Sequence, residues 1–372
     1  MVLSRLRILT NGLLIISKER TDMNISTIKE VRMEAIAACV PENKVDNLEF
    51  AKSHFEEDMT STLKALGVLE RHVAVKEETT SMDMCVAAAE KIFAEGGVKK
   101  EDIGAVIFVT LTPDFLMPNN STYAQHLLGL GKDVATLDIN HACPGYVFGL
   151  WNAALIAQNM QKKVLLLDGD INSKYVSQWD KSTALLFGDA GTATVITPDA
   201  SAPDWHFTFM SDGSNRDAIT VKLGMRYPLK KEYLDYQVWE DGGKRRFIDM
   251  YMNGRAVFDY VVDVVPEIAN AFMDELETSG EEYDKLVLHQ ANHFMLKKLA
   301  KAIGFDHKTQ MPVCMNKYGN TSSVSIPMTI SSELQEPTDH IFMIGMGAGL
   351  ASGIADISLN GLKNFGVIEK EL

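Results

Sequence analysis

The sequence predicts an α/β fold of two duplicated halves. Apolar, β-branched runs alternate with helical patterns along most of the 372 residues. The order helix, charged loop, apolar strand and polar strand end occurs at residues 86–115 and again at 265–294, about 180 residues later. An apolar fraction of 46% with 23% charged residues is ordinary for a globular protein of this length. Two such halves would stack as α/β/α/β/α layers.

The predicted N-terminal half covers residues 23–202. Its helical patterns are terminated by glycine or border polar loops, and its strands are short β-branched runs. The predicted elements are a strand at 31–41, a helix at 81–97, a strand at 103–115, a helix at 122–131, a strand at 134–140, a helix at 145–161, and strands at 163–171 and 191–199.

The predicted C-terminal half covers residues 251–372. It contains a helix at 257–280 interrupted by Pro266, a strand that ends near His289, a helix at 295–305, and last strands within 340–359. Between the halves, residues 203–250 are rich in aromatic and basic residues without a clean period. They are predicted to be a cap or insert, which either lines a substrate entrance or is a surface excursion.

Charge and cysteine content restrict the function classes. A formal charge of −14 argues against nucleic acid or an anionic membrane surface as the main partner. The four cysteines lack the paired spacing of a zinc site, and no acidic metal motif occurs, so we expect no metal and free thiols in a reducing cytoplasm. Residues 1–22 precede a normal domain start at Met23 and are expected to be an extension outside the fold.

Cys143 is the first candidate for chemistry. It lies between the strand that ends near Asn140 and a helix that starts near Pro144, a residue favoured in the first helical turn. Backbone N–H groups and the positive end of a helix would favour a thiolate there. The alternative is an inert buried thiol that fills space, and the local sequence leaves both open.

Two polar residues of the second half are further candidates. His289 follows an apolar strand, and ligands of α/β sheets bind outside such strand ends, although a lone histidine is often structural. Asn320 lies in a loop rich in Gly, Ser and Thr that would also serve as an ordinary turn. The glycine-rich residues 345–353 do not fit a phosphate-binding loop and suit amides that approach a reacting oxygen.

Together these segments resemble the β-ketoacyl-ACP synthase III group of the thiolase superfamily. The motifs that carry the resemblance occur in one order and span about residues 29–358. They are GVLERHVAVKEET, MPNNSTYAQHLLG, HACPGY, FGDAGTATV, MYMNGRAVFDYVV, LHQAN, YGNTSSVSIP and GMGAGLASG. The resemblance implies a thiolase-like five-layer αβαβα fold and a homodimer.

The resemblance also implies a mechanism and its residues. Cys143, His289 and Asn320 would be catalytic, and the amides of Cys143 and Ala348 would form the oxyanion hole. The implied reaction is a decarboxylative Claisen condensation of an acyl-CoA or acyl-ACP with malonyl-ACP, in fatty-acid initiation or a specialised pathway. It needs no cofactor, because CoA and ACP thioesters are its substrates.

The sequence departs from the family pattern around the substrate. Ser61 replaces a tryptophan that stacks on the CoA adenine, and Lys181 replaces an arginine on the opposite side, which weakens the expected CoA clamp. Met117 corresponds to a phenylalanine that reaches across the dimer. Phe294 corresponds to an arginine used in carrier docking. Met346 is a further expected substrate contact. Carrier docking is assigned to three lysines, for which a plain solvated face is the commoner role: Lys297, Lys298 and Lys301.

Other functions remain open from sequence. The protein could transfer an acyl group from Cys143 to an O, N or S acceptor, or condense without decarboxylation. It could also be a non-catalytic subunit that supports an active paralogue. The complete Cys, His and Asn set favours condensation.

Overall fold

We describe the protein from a computed structural model, in which residues 7–8, 14–15 and 23–372 are described. The predicted extension, residues 1–22, therefore lies outside the described residues apart from two short strands that pair with each other. The strands are β1 Arg7–Ile8, β2 Leu14–Ile15, β3 Ser26–Ile28, β4 Val31–Pro41, β5 Lys44–Asp46, β6 Glu70–His72, β7 Ile103–Val109, β8 Ala135–Ile139, β9 Lys163–Ile171, β10 Asp189–Pro198, β11 Trp205–Ser211, β12 Ile219–Thr220, β13 Gln237–Val238, β14 Lys244–Arg245, β15 Tyr251–Met252, β16 Lys285–Leu288, β17 His340–Gly347, β18 Ala351–Ser358 and β19 Lys363–Lys370.

The helices are α1 Asn47–His54, α2 Thr60–Leu66, α3 Ser81–Glu95, α4 Asn120–Leu127, α5 Gly145–Met160, α6 Gly254–Asp259, α7 Val265–Glu275, α8 His293–Ala302, α9 Met315–Tyr318 and α10 Ser325–Glu333. Helices alternate with strands from α3 to β10 as the sequence predicts, whereas α8, α9 and α10 follow one another between β16 and β17, and α1, α2, α9 and α10 were not predicted. Among the helices of the described ranges, none is long and apolar enough to cross a bilayer.

Two sheets organise the fold. The six-stranded sheet has the order β19-β4-β10-β9-β7-β8, and the five-stranded sheet has the order β16-β17-β18-β11-β3. Helices α5 and α10 lie between the two sheets and contribute Tyr146, Leu150 and Ile326 to the shared core. Helix α3 covers the outer face of the first sheet, and α7 and α8 cover the outer face of the second. This five-layer αβαβα arrangement confirms the predicted fold.

Several local features differ from the sequence prediction, among them the strand predicted over 103–115, which ends at Val109. Residues 205–211, assigned to the cap, form β11 inside the five-stranded sheet, because Trp205 and Phe207 alternate into its core. Strand β19 was not predicted, since only half-buried residues mark it at the sheet edge. The helix predicted over 257–280 ends at Glu275.

Pro266 is accommodated without a break in that helical stretch. The five residues Tyr260–Val264 form a π-helical turn between α6 and α7, and Pro266 occupies the first turn of α7. Pro266 has no N–H to bond to a carbonyl of the preceding turn, and the wider π-helical turn directly before it is where the regular i→i−4 pattern is interrupted. The rest of the predicted cap, residues 212–250, consists of short strands and 3₁₀ turns, and part of it borders the cavity described next.

Candidate active site

Cys143 lies in a sharp connection between β8, which ends at Ile139, and α5, which begins at Gly145. The end of β17, from the other sheet, comes very close to it. A Cβ on Gly347 would lie 2.7 Å from the Cys143 Cβ and 2.8 Å from its Sγ, and Gly347 has a φ of +154°. Only glycine allows this approach, so this contact joins the two halves of the chain at the thiol.

A cavity of about 710 Å³ opens at this junction. Its volume falls in the range of small-molecule sites. Six of the residues selected from sequence line it: Cys143, Lys181, His289, Asn320, Met346 and Ala348. The remaining walls are largely apolar and come from both halves and from the cap, with contributions from Leu66, Leu111, Leu186, Ile219, Val221, Met250, Met252, Val257 and Met295.

The Cys143 thiol is subject to two opposing effects. The backbone N–H groups of Ala348 and of Cys143 itself lower the pKa of the thiol. Burial outweighs them and raises the pKa of Cys143 to about 11, with the Asp170 carboxyl adding a smaller rise. The amides thus favour the thiolate as expected, but desolvation exceeds their effect, so the net shift favours the neutral thiol.

The other three cysteines do not share this setting. Cys39, Cys85 and Cys314 are fully buried in apolar clusters, and burial raises the pKa of each. None of them lines the cavity. Cys143 is thus the cysteine whose sulfur a substrate in the cavity can reach.

His289 is held neutral by its surroundings. The side chain is 2% exposed, and burial lowers its pKa to about 4. Its Nδ1 lies 2.7 Å from the Ser325 hydroxyl and 3.1 Å from the carbonyl oxygen of Ser322. The ring nitrogen that remains for a ligand is Nε2. A substrate in the cavity can therefore form a hydrogen bond with this one nitrogen of the neutral imidazole.

Asn320 is oriented by its own turn. Its Oδ1 accepts the Ser322 N–H at 2.9 Å, and only the oxygen of an amide side chain can accept in this way. The main-chain N–H of Asn320 donates to Leu186 at 2.8 Å, which ties the turn to the first half. The side-chain NH₂ is consequently the group left for a ligand, and it is a hydrogen-bond donor.

Two buried carboxyls support this turn and were missed by sequence reasoning. Asp168 accepts a 2.6 Å hydrogen bond from the Ser323 hydroxyl, and burial raises its pKa well above 3.8. Asp170 accepts from the N–H of Leu111 at 2.8 Å, and burial raises its pKa to about 6. Two acidic residues within the apolar run of β9 were the signal that could have revealed them.

Of the residues expected to contact substrate at the cavity mouth, one lines the cavity and two do not. Lys181 lines the cavity, but its Nζ pairs with Glu57 at 2.5 Å and lies 5.8 Å from the Phe55 ring centroid. Ser61 is exposed on α2. Met117 is 87% exposed and does not line the cavity within one chain.

The three lysines assigned to carrier docking lie on the exposed face of α8 and do not line the cavity: Lys297, Lys298 and Lys301. Phe294 on the same helix is 52% exposed and stacks on Phe258, with the Lys298 Nζ 5.0 Å from the Phe294 ring centroid. Met295, one residue further along α8, does line the cavity. Residues 7–8, 14–15 and 23–372 contain no group of three or more side chains suited to hold a metal ion.

Comparison with known proteins decides the family. A model of the 3-oxoacyl-[acyl-carrier-protein (ACP)] synthase III family matches residues 137–213, and the model of its C-terminal part matches residues 273–358. The β-ketoacyl-[acyl-carrier-protein] synthase III of Lactococcus lactis is 31% identical over 336 residues, which cover 88% of this chain and 99% of that protein. The chain belongs to the β-ketoacyl-ACP synthase III family.

Further relatives agree with this synthase III assignment. The β-ketoacyl-[acyl-carrier-protein] synthase III of Streptococcus pneumoniae is 32% identical over 333 residues, 87% of this chain and 97% of that protein. A crystal structure of a 3-oxoacyl-(acyl-carrier protein) synthase from Burkholderia xenovorans superposes with a TM-score of 0.85 at 31% identity, covering 94% of this chain and 99% of that one. The protein is accordingly an acyltransferase with the thiolase-like fold that the motifs predict.

Proposed function

We propose that the protein forms a carbon–carbon bond by decarboxylative Claisen condensation, through an acyl-cysteine at Cys143, in fatty-acid initiation or a specialised fatty-acid or polyketide-like pathway. One observation carries the proposal. A reachable thiol, a neutral imidazole and an amide NH₂ all line the same largely apolar cavity. A nucleophile and two uncharged hydrogen-bond donors are the groups that this two-stage reaction requires.

In the first stage, the Cys143 sulfur attacks the carbonyl carbon of an acyl-CoA or acyl-ACP thioester. The S–C bond to Cys143 forms first and gives a tetrahedral intermediate; the bond to the donor sulfur then breaks, and the donor thiolate takes up the proton that Cys143 loses. The N–H groups of Cys143 and Ala348, which lower the pKa of the thiol, stabilise the negative oxygen of the tetrahedral intermediate. The amides lower the barrier because they donate hydrogen bonds to the oxygen where negative charge develops.

In the second stage, malonyl-ACP loses CO₂ and becomes an enolate. His289 Nε2–H and the Asn320 NH₂ donate hydrogen bonds to the enolate oxygen, and the enolate carbon attacks the acyl-cysteine. The bond to Cys143 breaks, and its thiolate recovers a proton from solvent. Loss of CO₂ drives the new bond, so the proposal includes no cofactor step.

The apolar cavity walls support an acyl group as the part of the substrate that the cavity binds. The lining is dominated by Leu, Val, Ile and Met side chains, which favour the burial of a hydrocarbon chain. Met346, which is 1% exposed, and Lys181 at the mouth are proposed substrate contacts. Because Lys181 is already paired with Glu57 and Ser61 offers no ring, we propose that the donor is held more by the cavity than by a CoA clamp.

We also propose that the protein is a homodimer. Large apolar side chains are exposed together on the loop after β7, on α4 and on the edge strand β8: Phe115, Leu116, Met117, Tyr123, Leu127 and Leu137. Leu116 also lines the cavity, so a second copy on this face would help to close it. Analytical ultracentrifugation tests this, and Leu116→Glu with Met117→Glu is expected to yield monomers.

The carrier is proposed to approach along α8. Lys297, Lys298 and Lys301 form an exposed basic row on a chain of net charge −14, and Met295 on the same helix lines the cavity. An acidic carrier protein would find charge complementarity there. Reversal of all three lysines to glutamate is expected to raise KM for the carrier thioester and leave kcat with a small thioester unchanged.

The decisive experiment measures the two stages separately. The protein is incubated with a panel of acyl-CoAs and acyl-ACPs, and intact-protein mass spectrometry records the adduct, which Cys143→Ala must abolish. Labelled malonyl-ACP is then added and CO₂ release is measured. His289→Ala is expected to retain most of the acylation and to lose condensation.

Three outcomes contradict the proposal. Acylation of Cys143 without CO₂ release points to transfer to an O, N or S acceptor or to condensation without decarboxylation. No acylation with any donor points to a subunit that supports another enzyme. Equal loss of both stages in His289→Ala contradicts the role given to the imidazole.

A further inference from the structure

The Nδ1 atom of His289 has two polar neighbours that favour different tautomers. The carbonyl oxygen of Ser322, at 3.1 Å, can only accept a hydrogen bond and therefore favours a proton on Nδ1. The hydroxyl of Ser325, at 2.7 Å, can donate to an unprotonated Nδ1. Since a neutral imidazole carries one ring proton, the stronger neighbour decides whether Nε2 is a donor or an acceptor.

The hydrogen bonds of Ser325 indicate which neighbour prevails. Ser325 is 0% exposed, and its Oγ accepts the main-chain N–H of Gln290 at 3.2 Å. Among the hydrogen bonds of the described residues, the single acceptor for the Ser325 hydroxyl proton is His289 Nδ1. A buried hydroxyl without an acceptor would lose about 1–3 kcal/mol. Donation from Ser325 to Nδ1 therefore satisfies both the serine and the imidazole.

The carbonyl of Ser322 does not need the imidazole proton. It already accepts the main-chain N–H of Ser325 in the turn that precedes α10. Its distance to Nδ1 is also 0.4 Å longer than that of the hydroxyl, from 3.1 Å against 2.7 Å. The hydroxyl is thus the better placed partner, and the carbonyl is an alternative that becomes available when the hydroxyl is removed.

We propose that Ser325 is a positioning residue that holds His289 as the tautomer with its proton on Nε2. The proposal rests on the proposed function, because it explains how the imidazole can donate to the enolate oxygen. Without the Ser325 hydroxyl, the proton moves to Nδ1 and bonds to Ser322. The lone pair of Nε2 then faces the enolate oxygen and repels it, although every atom of the imidazole is still in place.

The first test records the tautomer directly. The ¹⁵N chemical shifts of the ring nitrogens are measured on protein labelled at histidine, and the His289 signals are assigned by their absence in His289→Gln. We expect wild type to show a protonated Nε2 and Ser325→Ala to show a protonated Nδ1. Wild-type signals with the proton on Nδ1 would overturn the proposal, and this reading does not depend on how Ser325→Ala folds.

The second test separates the two stages of the reaction. Ser325→Ala is expected to acylate Cys143 at close to the wild-type rate but to decarboxylate malonyl-ACP about 10²-fold more slowly, the usual effect of losing one donor to a developing oxyanion. The loss is expected in kcat with KM for malonyl-ACP little changed. Ser325→Thr, which keeps a hydroxyl, is expected to restore most of the rate.

Ser331→Ala is the matched control. Ser331 lies on the same helix, is 0% exposed, and its buried hydroxyl has no hydrogen-bond partner among the residues that the structure describes. Ser331→Ala removes a hydroxyl from α10, as Ser325→Ala does, and it is expected to change neither the acylation rate nor the decarboxylation rate. Equal slowing in both alanine variants would show a packing effect and overturn the role of Ser325.

The two proposals fail in different ways. If wild type carries the Nε2 proton and Ser325→Ala the Nδ1 proton, but wild type releases no CO₂, the proposed function is wrong and the tautomer assignment stands. If wild type condenses and Ser325→Ala condenses equally fast, the proposed function stands and the positioning role is wrong.

Discussion

The main-chain N–H of Ala348 lowers the pKa of the Cys143 thiol, although the two residues are more than 200 positions apart in the chain. The Ala348 amide follows the end of β17, and the thiol lies at the start of α5. The contact requires glycine at position 347, where a Cβ would lie 2.8 Å from Sγ. The oxyanion hole proposed above therefore exists only when both halves of the fold are packed together.

Gly347→Ala is expected to abolish acylation of Cys143. The added methyl group would overlap Sγ, and a φ of +154° is one that alanine rarely adopts. Mass spectrometry after exposure to the preferred acyl donor measures the adduct. Gly213→Ala is the control, since a Cβ there meets nothing within 4 Å, and it is expected to acylate normally. Normal acylation of Gly347→Ala would contradict the geometry at the thiol.

Asn320→Asp is expected to stop condensation while acylation continues. The carboxylate keeps the oxygen that accepts the Ser322 N–H, so the turn is retained. It loses the NH₂ donor and adds a negative charge beside the developing enolate, and the rate of CO₂ release should fall by at least about 10²-fold. A single-turnover assay that follows the adduct and CO₂ separately tests this. Parallel loss of the two signals would mean that Asn320 serves the turn alone.

Burial of His289 is expected to make stability depend on pH in the acidic range. Its folded pKa is lowered from 6.5 to about 4, so between these values the unfolded chain binds a proton that the native protein does not. The free energy of unfolding should therefore fall as the pH drops from about 6.5 towards 4, by at most about 3 kcal/mol from this group. Urea unfolding of wild type and His289→Gln at pH 7 and pH 5 measures the difference. The variant should lose less stability than wild type, and an equal loss would contradict the assignment.

Asp168 is expected to have the opposite dependence. Burial raises its folded pKa well above 3.8, so the native protein keeps a proton that the unfolded chain has lost. This group's contribution to the free energy of unfolding should therefore decrease as the pH rises above about 3.8. Asp168→Asn cannot titrate, and its oxygen can still accept from the Ser323 hydroxyl. Unfolding at a series of pH values should show the variant gaining stability relative to wild type as the pH rises, whereas a constant difference would contradict a buried neutral carboxyl.

Much of the fold was predictable because it depends on local pattern. The apolar, β-branched run from Ile103 and the glycine after Glu95 predict a strand start and a helix end that the structure confirms, although the strand ends at Val109 and not at residue 115. Strand β19 was not predictable in this way, because its residues are only half-buried and show no clear alternation. Strand β11 was hidden by its position beside an irregular segment, although its apolar residues alternate.

The sequence by itself determined the layered α/β class, the family, and a short set of candidates in Cys143, His289 and Asn320. Only the tertiary structure decided that these residues line one cavity, that burial raises the pKa of the thiol to about 11, and that Ser325 contacts the imidazole. The reason is physical. Local propensities depend on neighbours along the chain, whereas desolvation and hydrogen-bond geometry depend on groups that approach from distant parts of the chain.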